Sequence, residues 1–229
     1  MESRCENCII RQFNSLRALS KEELKKVSNA KISKKIKKGD ALFSEGQKLD
    51  GVYCVRNGVS KLSKLSSNGK EQIVKLTNRG EIMGQRSVIA EDYTNLSATA
   101  INDMEVCFIP KEIITTTLNT NPYFSLEVLR HMAHDLKEAD DVIVNMSQKT
   151  VKQRLAEALL YLRQNYGEDE SGFLLLTLSR DDYANIVGAA TESLIRMLSD
   201  FKKKGLIKTE GKKIGIVNDC ALKELIDGF

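Results

Sequence analysis

Residues 178–198, Leu-Ser-Arg-Asp-Asp-Tyr-Ala-Asn-Ile-Val-Gly-Ala-Ala-Thr-Glu-Ser-Leu-Ile-Arg-Met-Leu, constrain the fold more than any other stretch. They read as a short helix, a glycine turn and a second amphipathic helix, the layout of a DNA-binding helix-turn-helix. Ser179 is placed to cap the first helix, with Asp182 answering as a capping box. Gly188 stops that helix, because glycine enters the left-handed backbone region without a Cβ clash. Leu194, Leu198 and Phe201 mark one face of the second helix at helical spacing. Glu192, Arg196, Ser199 and Lys203 mark the opposite face, the one a recognition helix offers to base edges and phosphates. The competing reading is a generic helical hairpin in which Glu192 and Arg196 form an ordinary i,i+4 surface pair.

The residues beyond Gly205 favour DNA. Leu206-Ile207-Lys208-Thr209 and Ile214-Gly215-Ile216-Val217 are two short apolar strands around Glu210-Gly211-Lys212-Lys213. A helix-turn-helix that runs into such a lysine-tipped hairpin is a winged helix. Lys212, Lys213 and the run Lys202-Lys203-Lys204 are then expected to meet phosphates.

The 229 residues suffice for one large domain or two small ones. Apolar content of 41% and charged content of 29% belong to a globular chain. A net charge of +4 argues little for nucleic acid by itself, so the position of the charge has to carry that reading. The apolar runs are too short to span a membrane, and Met1-Glu2-Ser3-Arg4-Cys5 lacks the apolar core of a signal peptide, so a cytoplasmic location and no membrane partner are expected. Five cysteines, an odd number, point to free thiols or a metal or redox site rather than a disulfide framework. With no nucleophile–base constellation and no phosphate loop, the chain is not expected to be an enzyme.

Before the winged helix the texture changes twice. Leu19-Ser20-Lys21-Glu22-Glu23-Leu24 starts a helix, with Ser20 and Glu23 as capping box and Leu19 and Leu24 as hydrophobic staple. Residues 36–109 then read as strands punctuated by glycines. Asn57-Gly58 and Asn68-Gly69 separate alternating segments and predict tight hairpins; many short strands with regular turns predict a barrel or sandwich. Asn121-Pro122 opens a long helix, a capping residue followed by proline at the first helical position. Within it Leu129, Met132, Leu136, Ala139, Ile143 and Met146 form an a/d seam, narrower than the stripe of an ordinary globular helix. A parallel two-stranded dimer seam is favoured over burial against the barrel. His131 and His134, three apart on this helix, are spaced to clamp a metal, but solvated polar residues are the favoured reading. Val151, Leu155, Ala158, Leu159, Leu162 and Tyr166 form a further amphipathic helix that ends at Gly167 and supports the helix-turn-helix from behind.

The order of glycine-rich barrel, long dimer helix and winged helix-turn-helix resembles the CRP/FNR family of bacterial transcription regulators over nearly the whole chain. Lys38-Gly39-Asp40-Ala41-Leu42-Phe43-Ser44-Glu45-Gly46 is similar to the family's opening turn, and Val52-Tyr53-Cys54-Val55-Arg56-Asn57-Gly58-Val59 to its first hairpin. Gly80-Glu81 and Phe108-Ile109-Pro110 also match, and residues 178–207 are the most specific part. The resemblance implies an α+β chain in four parts. These are a cysteine-containing segment, 1–14; a cyclic-nucleotide-binding-like jelly-roll sensor barrel, 15–120; a dimerisation helix, 121–148; and a winged helix-turn-helix, 149–229. It implies a homodimer on a near-palindromic operator in double-stranded DNA, with RNA polymerase as a further partner. Arg196 then bonds a guanine, Glu192 accepts from a cytosine or adenine amino group, Thr191 and Ser193 sit beside them, and Ser179 and Arg180 hold phosphates. Thr191 stands where many cyclic-AMP-type members carry arginine, so the half-site is expected to read more like TTGA than GTGA.

The same resemblance frames the signal. The family's phosphate cassette is matched at Gly80-Glu81 and at Ser97-Ala98, but the arginine position is Leu96 and only Arg86 stands near to replace it. A retained barrel with a closed or repurposed pocket is favoured over a cyclic nucleotide cofactor. The oxygen-sensing branch carries an iron–sulfur cluster on a CxxC pair, a third cysteine six residues on and a distant fourth. Cys5 and Cys8 match the pair and Cys107 the distant ligand, but the third position is Asn14. Three thiols leave a four-thiolate site incomplete unless another ligand enters, and no metal is the favoured reading. Cys54 and Cys107 lie among apolar strand residues, where buried structural thiols are common. The other function class left open is a thiol or metal redox sensor built on Cys5 and Cys8, with the carboxy-terminal domain as an interaction module.

Overall fold

The Ser20 signal is realised atom by atom. Ser20 Oγ accepts from the Glu23 amide, and Glu23 Oε2 accepts from the Ser20 amide, opening α1 (Lys21–Ala30). The computed structural model describes residues 4–227. Met1, Glu2 and Ser3, on which the signal-peptide and 1–14 readings partly rest, and Gly228 and Phe229 lie outside the described residues. Ahead of α1, three single 3₁₀ turns (Cys5–Asn7, Ile9–Phe13 and Ser15–Ala18) fold the amino-terminal segment onto the core through Cys5, Ile10 and Leu16.

Strands then follow as β1 (Ile32–Ile36), β2 (Ala41–Phe43), β3 (Gly51–Asn57), β4 (Ser60–Leu65), β5 (Glu71–Thr77) and β6 (Ile82–Met83). A short helix, α2 (Gln85–Ala90), precedes β7 (Ser97–Ala100) and β8 (Met104–Pro110). They form two four-stranded sheets, ordered β1-β8-β3-β6 and β2-β7-β4-β5, the expected antiparallel jelly-roll barrel. β3 is buried without a break from Gly51 to Val55, as a strand covered on both faces should be. Its Tyr53 ring meets that of Phe43 in the second sheet at 6.0 Å, and its Cys54 Sγ accepts from Asn14 in the amino-terminal segment.

One turn corrects the sequence reading. Asn57-Gly58 does not close a hairpin, because β3 and β4 lie in different sheets and the chain changes sheet there. Gly58 has φ +89°, and a Cβ on it would stand 2.6 Å from Met104 Cγ. The glycine therefore serves a corner packed against β8. Asn68-Gly69 does join neighbouring strands, β4 and β5. The strand region also begins at Ile32 rather than residue 36, and α2 interrupts it.

α3 (Lys111–Thr120) and α8 (Asp219–Asp227) were not evident from the sequence. Ile113, Ile114, Thr115, Thr116 and Thr117 are β-branched and favour strand. In α3 the hydroxyls of Thr115, Thr117 and Thr120 bond the carbonyls of Lys111, Ile113 and Thr116 four residues back. α4 (Pro122–Gln148) starts where Asn121 Oδ1 accepts from the Tyr123 and Phe124 amides. Then come α5 (Val151–Tyr166), α6 (Arg180–Val187), α7 (Thr191–Lys203), β9 (Ile207–Glu210), β10 (Lys213–Ile216) and α8. The chain divides into two compact units, one running through Ser66 and Ile73–Ala139, the other comprising Ser67–Gln72 and everything from Asp140 onward. No described helix is long and apolar enough to cross a membrane.

Candidate nucleic-acid interface and barrel site

In the second unit α6 is capped as the spacing predicts. Ser179 Oγ accepts from the Asp182 amide at 3.0 Å and donates to Asp182 Oδ2 at 2.6 Å. Gly188 ends the helix in the left-handed region, at φ +65° and ψ +49°. Ala190 opens α7 without a side-chain cap. Instead Thr191 Oγ1 donates to Asp181 Oδ1 at 2.7 Å, tying the first turn of α7 to α6. Leu194, Leu198 and Phe201 are buried beneath α7, with Leu194 at 0% exposure.

The other face of α7 is open. Glu192, Arg196, Ser199 and Lys203 are exposed. Among the described residues the side chains of Glu192 and Arg196 have no ion-pair or hydrogen-bond partner, so the i,i+4 surface pair is not formed. Ser193 is half-buried.

The wing forms from β9 and β10, antiparallel, with Gly211-Lys212 at its tip. Sequence reading missed its third component, a bridge from Glu168 to Leu174, whose Leu174 amide donates to Ile214 O. The cations divide by what holds them. Arg180 donates to Gly211 O at 3.0 Å and Lys212 O at 3.4 Å, so its guanidinium already braces the wing turn. Lys213 pairs with Asp169 at 3.6 Å and lies 5.7 Å from the Phe173 ring centroid. Lys204 pairs with Asp200. Lys212, Lys202 and Lys203 are exposed, with no side-chain partner among the described residues.

In the barrel unit the cassette residues serve the protein itself. Gly80, at φ +97°, donates its amide to Val55 O and accepts from Asn14 Nδ2 at 2.7 Å; a Cβ there would strike Phe13 at 2.6 Å. Glu81 faces Lys75 at 3.6 Å and accepts from the Asn78 amide. Lys75 also donates to Asp135 Oδ1 at 2.8 Å and Glu138 Oε2 at 3.0 Å. Burial opposes the Lys75 charge, but the three carboxylates outweigh it and hold its pKa above the ordinary lysine value. Burial pushes the Glu81 carboxyl up, against Lys75. Ser97 Oγ accepts from the Glu45 amide, Arg86 is exposed, and Leu96 is buried. His134 sits with Asp135 and Glu138 on α4, but the Lys75 ammonium already occupies both carboxylates, and His131 is not part of the group.

The thiols converge. Cys54 and Cys107 are direct partners in the antiparallel β3–β8 pair. Cys5 and Cys8 belong to the 3₁₀ turns of the amino-terminal segment; Cys5 is buried, Cys8 half-buried, and both pack on the core that holds Cys54 and Cys107. Burial first, then the neighbouring sulfurs of Cys107, Cys8 and Cys5, push the Cys54 thiol up to about 12. Burial also raises Cys107, against the charges of Lys31 and Arg56. Asn14, where the third thiol was expected, is buried and donates to Cys54 Sγ at 3.6 Å. Cys220 is exposed on α8. The third-ligand position is therefore filled by an amide that bonds a strand thiol, and among the described residues no three of these sulfurs lie within 4.8 Å of one another.

Comparison with known proteins agrees with this architecture. The family described as "Cyclic nucleotide-binding domain" matches residues 33–121, and "Crp-like helix-turn-helix domain" matches residues 153–225. The chain is 30% identical over 226 residues to the anaerobic regulatory protein of Aggregatibacter actinomycetemcomitans, covering 96% of this chain and 87% of that protein. It is 30% identical to the fumarate and nitrate reduction regulatory protein of Escherichia coli, with 96% and 89% covered. Among solved structures, a transcriptional regulator of the crp/fnr family from Eubacterium rectale superposes with a TM-score of 0.79 at 21% identity, covering 93% of this chain and 97% of that one.

Proposed function

The chain belongs to the CRP/FNR family of transcription regulators, and we propose that it acts as a homodimer reading a near-palindromic operator in double-stranded DNA through α7. Its relatives are regulators rather than enzymes. The observation that carries the reading is the face of α7 on which Glu192 and Arg196 stand exposed and unpaired, backed by buried Leu194, Leu198 and Phe201. A free guanidinium on a recognition helix is equipped for a bidentate contact with guanine, and a free carboxylate for accepting from a cytosine amino group. Thr191 and Ser193 flank them on the same helix. Lys202, Lys203 and Lys212 supply phosphate contacts, with Lys213 beside them; Ser179 and Arg180 act chiefly by bracing α6 and the wing that present these groups.

Dimerisation is supported by the seam of α4. Leu129, Leu136 and Ile143 are 62%, 65% and 66% exposed, whereas Phe124 and Val128 of the same helix are buried in the barrel core. Apolar residues this open at heptad spacing require a second helix to cover them. RNA polymerase is the further partner we infer from family membership alone. A cyclic nucleotide is a poor candidate effector, since Glu81 and Ser97 are already engaged and Leu96 occupies the arginine position. Selecting operators from random double-stranded DNA with the full chain tests the reading. Recovery of paired half-sites in inverted orientation supports it, and recovery of no consensus defeats it.

A further inference from the structure

A helix leaves its last four carbonyls without partners of its own. In α6 these belong to Ala184, Asn185, Ile186 and Val187. Ala184 O accepts from the Gly188 and Ala189 amides, which closes the turn locally. The other three are satisfied by two side chains from distant elements of the same compact unit. Gln72, at the start of β5, donates its Nε2 to Asn185 O at 2.7 Å and to Ile186 O at 3.3 Å. Arg154 of α5 donates its Nε to Val187 O at 2.8 Å. Glu71, beside Gln72, accepts from Asn185 Nδ2 at 2.8 Å.

The same guanidinium reaches α4. Arg154 Nη1 donates to Met146 O at 3.0 Å, in the last turn of α4, and to Lys149 O at 2.7 Å just beyond it. One planar fork thus joins the carboxyl ends of two helices, and its charge complements the negative end of each dipole. Gly188 lies against both neighbours, since a Cβ there would stand 3.4 Å from Gln72 Oε1 and 3.4 Å from Met146 Sδ. Three residues on, Thr191 Oγ1 bonds Asp181, so the first turn of α7 is fixed to the helix that this node holds.

We propose that Arg154 and Gln72 are positioning residues for operator recognition, fixing the helix-turn-helix to the carboxyl end of α4 and thereby setting the separation of the two half-sites that a dimer grips. Neither side chain has to touch DNA for this. The seam of α4 sets the two-fold axis, and the node sets where each α7 stands from the helix that carries the seam. One base pair turns a half-site by roughly 35° about the duplex, so a rigid node tolerates little change of spacing and a loosened one tolerates more. The proposal rests on the operator reading of α7 and adds the geometry of the pair to it.

The test uses the full chain and the operator it selects from random DNA, with the half-site separation lengthened or shortened by one base pair. Wild type should lose affinity at both altered spacings. Arg154→Gln and Gln72→Ala should keep the dimer and the half-site consensus, while the penalty for altered spacing shrinks by roughly 2- to 30-fold, the range that positions on a coupling route command. Arg154→Lys keeps the charge without the fork and should fall between. Gln72→Ala removes no charge and carries the test if Arg154→Gln does not fold. Ser179→Ala weakens the cap at the other end of α6, so it controls for lost stability and should keep the wild-type spacing profile. Folded variants that retain the full wild-type spacing penalty overturn the proposal. So does a changed half-site consensus, which would make these residues part of base readout. A wild type that selects no consensus defeats the operator reading and this proposal with it, whereas a consensus with unaltered spacing dependence in the variants removes this proposal alone.

Discussion

Arg196 and Lys212 are both exposed cations of one unit, yet they should act on DNA in different ways. Arg196→Ala is expected to cost about 1–3 kcal/mol at a single guanine and to relax the preference there, because a bidentate base contact is lost. Lys212→Ala should weaken all sequences alike and lower the slope of log affinity against log salt by about one unit, because one phosphate contact and its released counterion disappear. Binding of a selected operator and of random DNA at several salt concentrations separates the two. Equal weakening of both DNAs by Arg196→Ala would mean that α7 reads bases in another register. Ser179 acts inside the protein. Its hydroxyl accepts from the Asp182 amide, so Ser179→Ala should destabilise the second unit by about 1 kcal/mol in urea unfolding, with little change in which operator is selected. A shift in consensus without a loss of stability would give Ser179 the DNA-contacting role instead.

At the scale of elements, α4 divides its labour along its length. Its first turns bury Phe124 and Val128 in the barrel core, and Asp135 with Glu138 clasps Lys75 of β5. The seam of Leu129, Leu136 and Ile143 is left open. Replacing Leu136 and Ile143 by lysine removes apolar surface from both partners of a symmetric seam and places like charges across it. The double variant is expected to sediment as a monomer, to keep its barrel folded, and to bind the operator weakly. Half-site centres should lie about 10–10.5 base pairs apart, one turn of the duplex, as a two-fold dimer requires. Wild type that sediments as a monomer at micromolar concentration and grips a single half-site tightly would remove α4 as the dimer helix.

The whole molecule carries a barrel of cyclic-nucleotide-binding type joined to a Crp-like helix-turn-helix, but barrel and ligand need not go together. A nucleotide phosphate at this cassette lacks the arginine that Leu96 replaces. The missing charge-assisted, bidentate partner is worth about 1.5–3 kcal/mol. Glu81 would also have to leave Lys75, and Ser97 the Glu45 amide. Titration of the full chain with cyclic AMP in a calorimeter should therefore show no tight binding, and the nucleotide should leave operator affinity unchanged. Micromolar binding with strengthened operator affinity would show that Arg86 or another cation has taken the vacant role.

What could be read from the sequence was settled within a few residues of itself. The Ser20–Glu23 and Ser179–Asp182 boxes, the left-handed Gly188, the Asn121 cap and the wing turn at Gly211 join groups at most four positions apart, so chain connectivity alone nearly determines them. Where local preference and long-range packing disagree, the sequence misleads. The β-branched run 113–117 packs as helix α3 against the barrel, and Asn57-Gly58 turns a corner because β3 is claimed by β8 and β6 rather than by β4. The meeting of the thiols is the furthest from legible. Asn14 and Cys54 are forty positions apart, and Cys54 and Cys107 are brought opposite only by the β3–β8 register. A shift of that register by one residue would turn Cys107 to the other face of the sheet and take it away from the amino-terminal segment. The residue types that could form a site were thus visible in the chain, but their meeting was decided by strand pairing, whose register depends on burying the whole core at once.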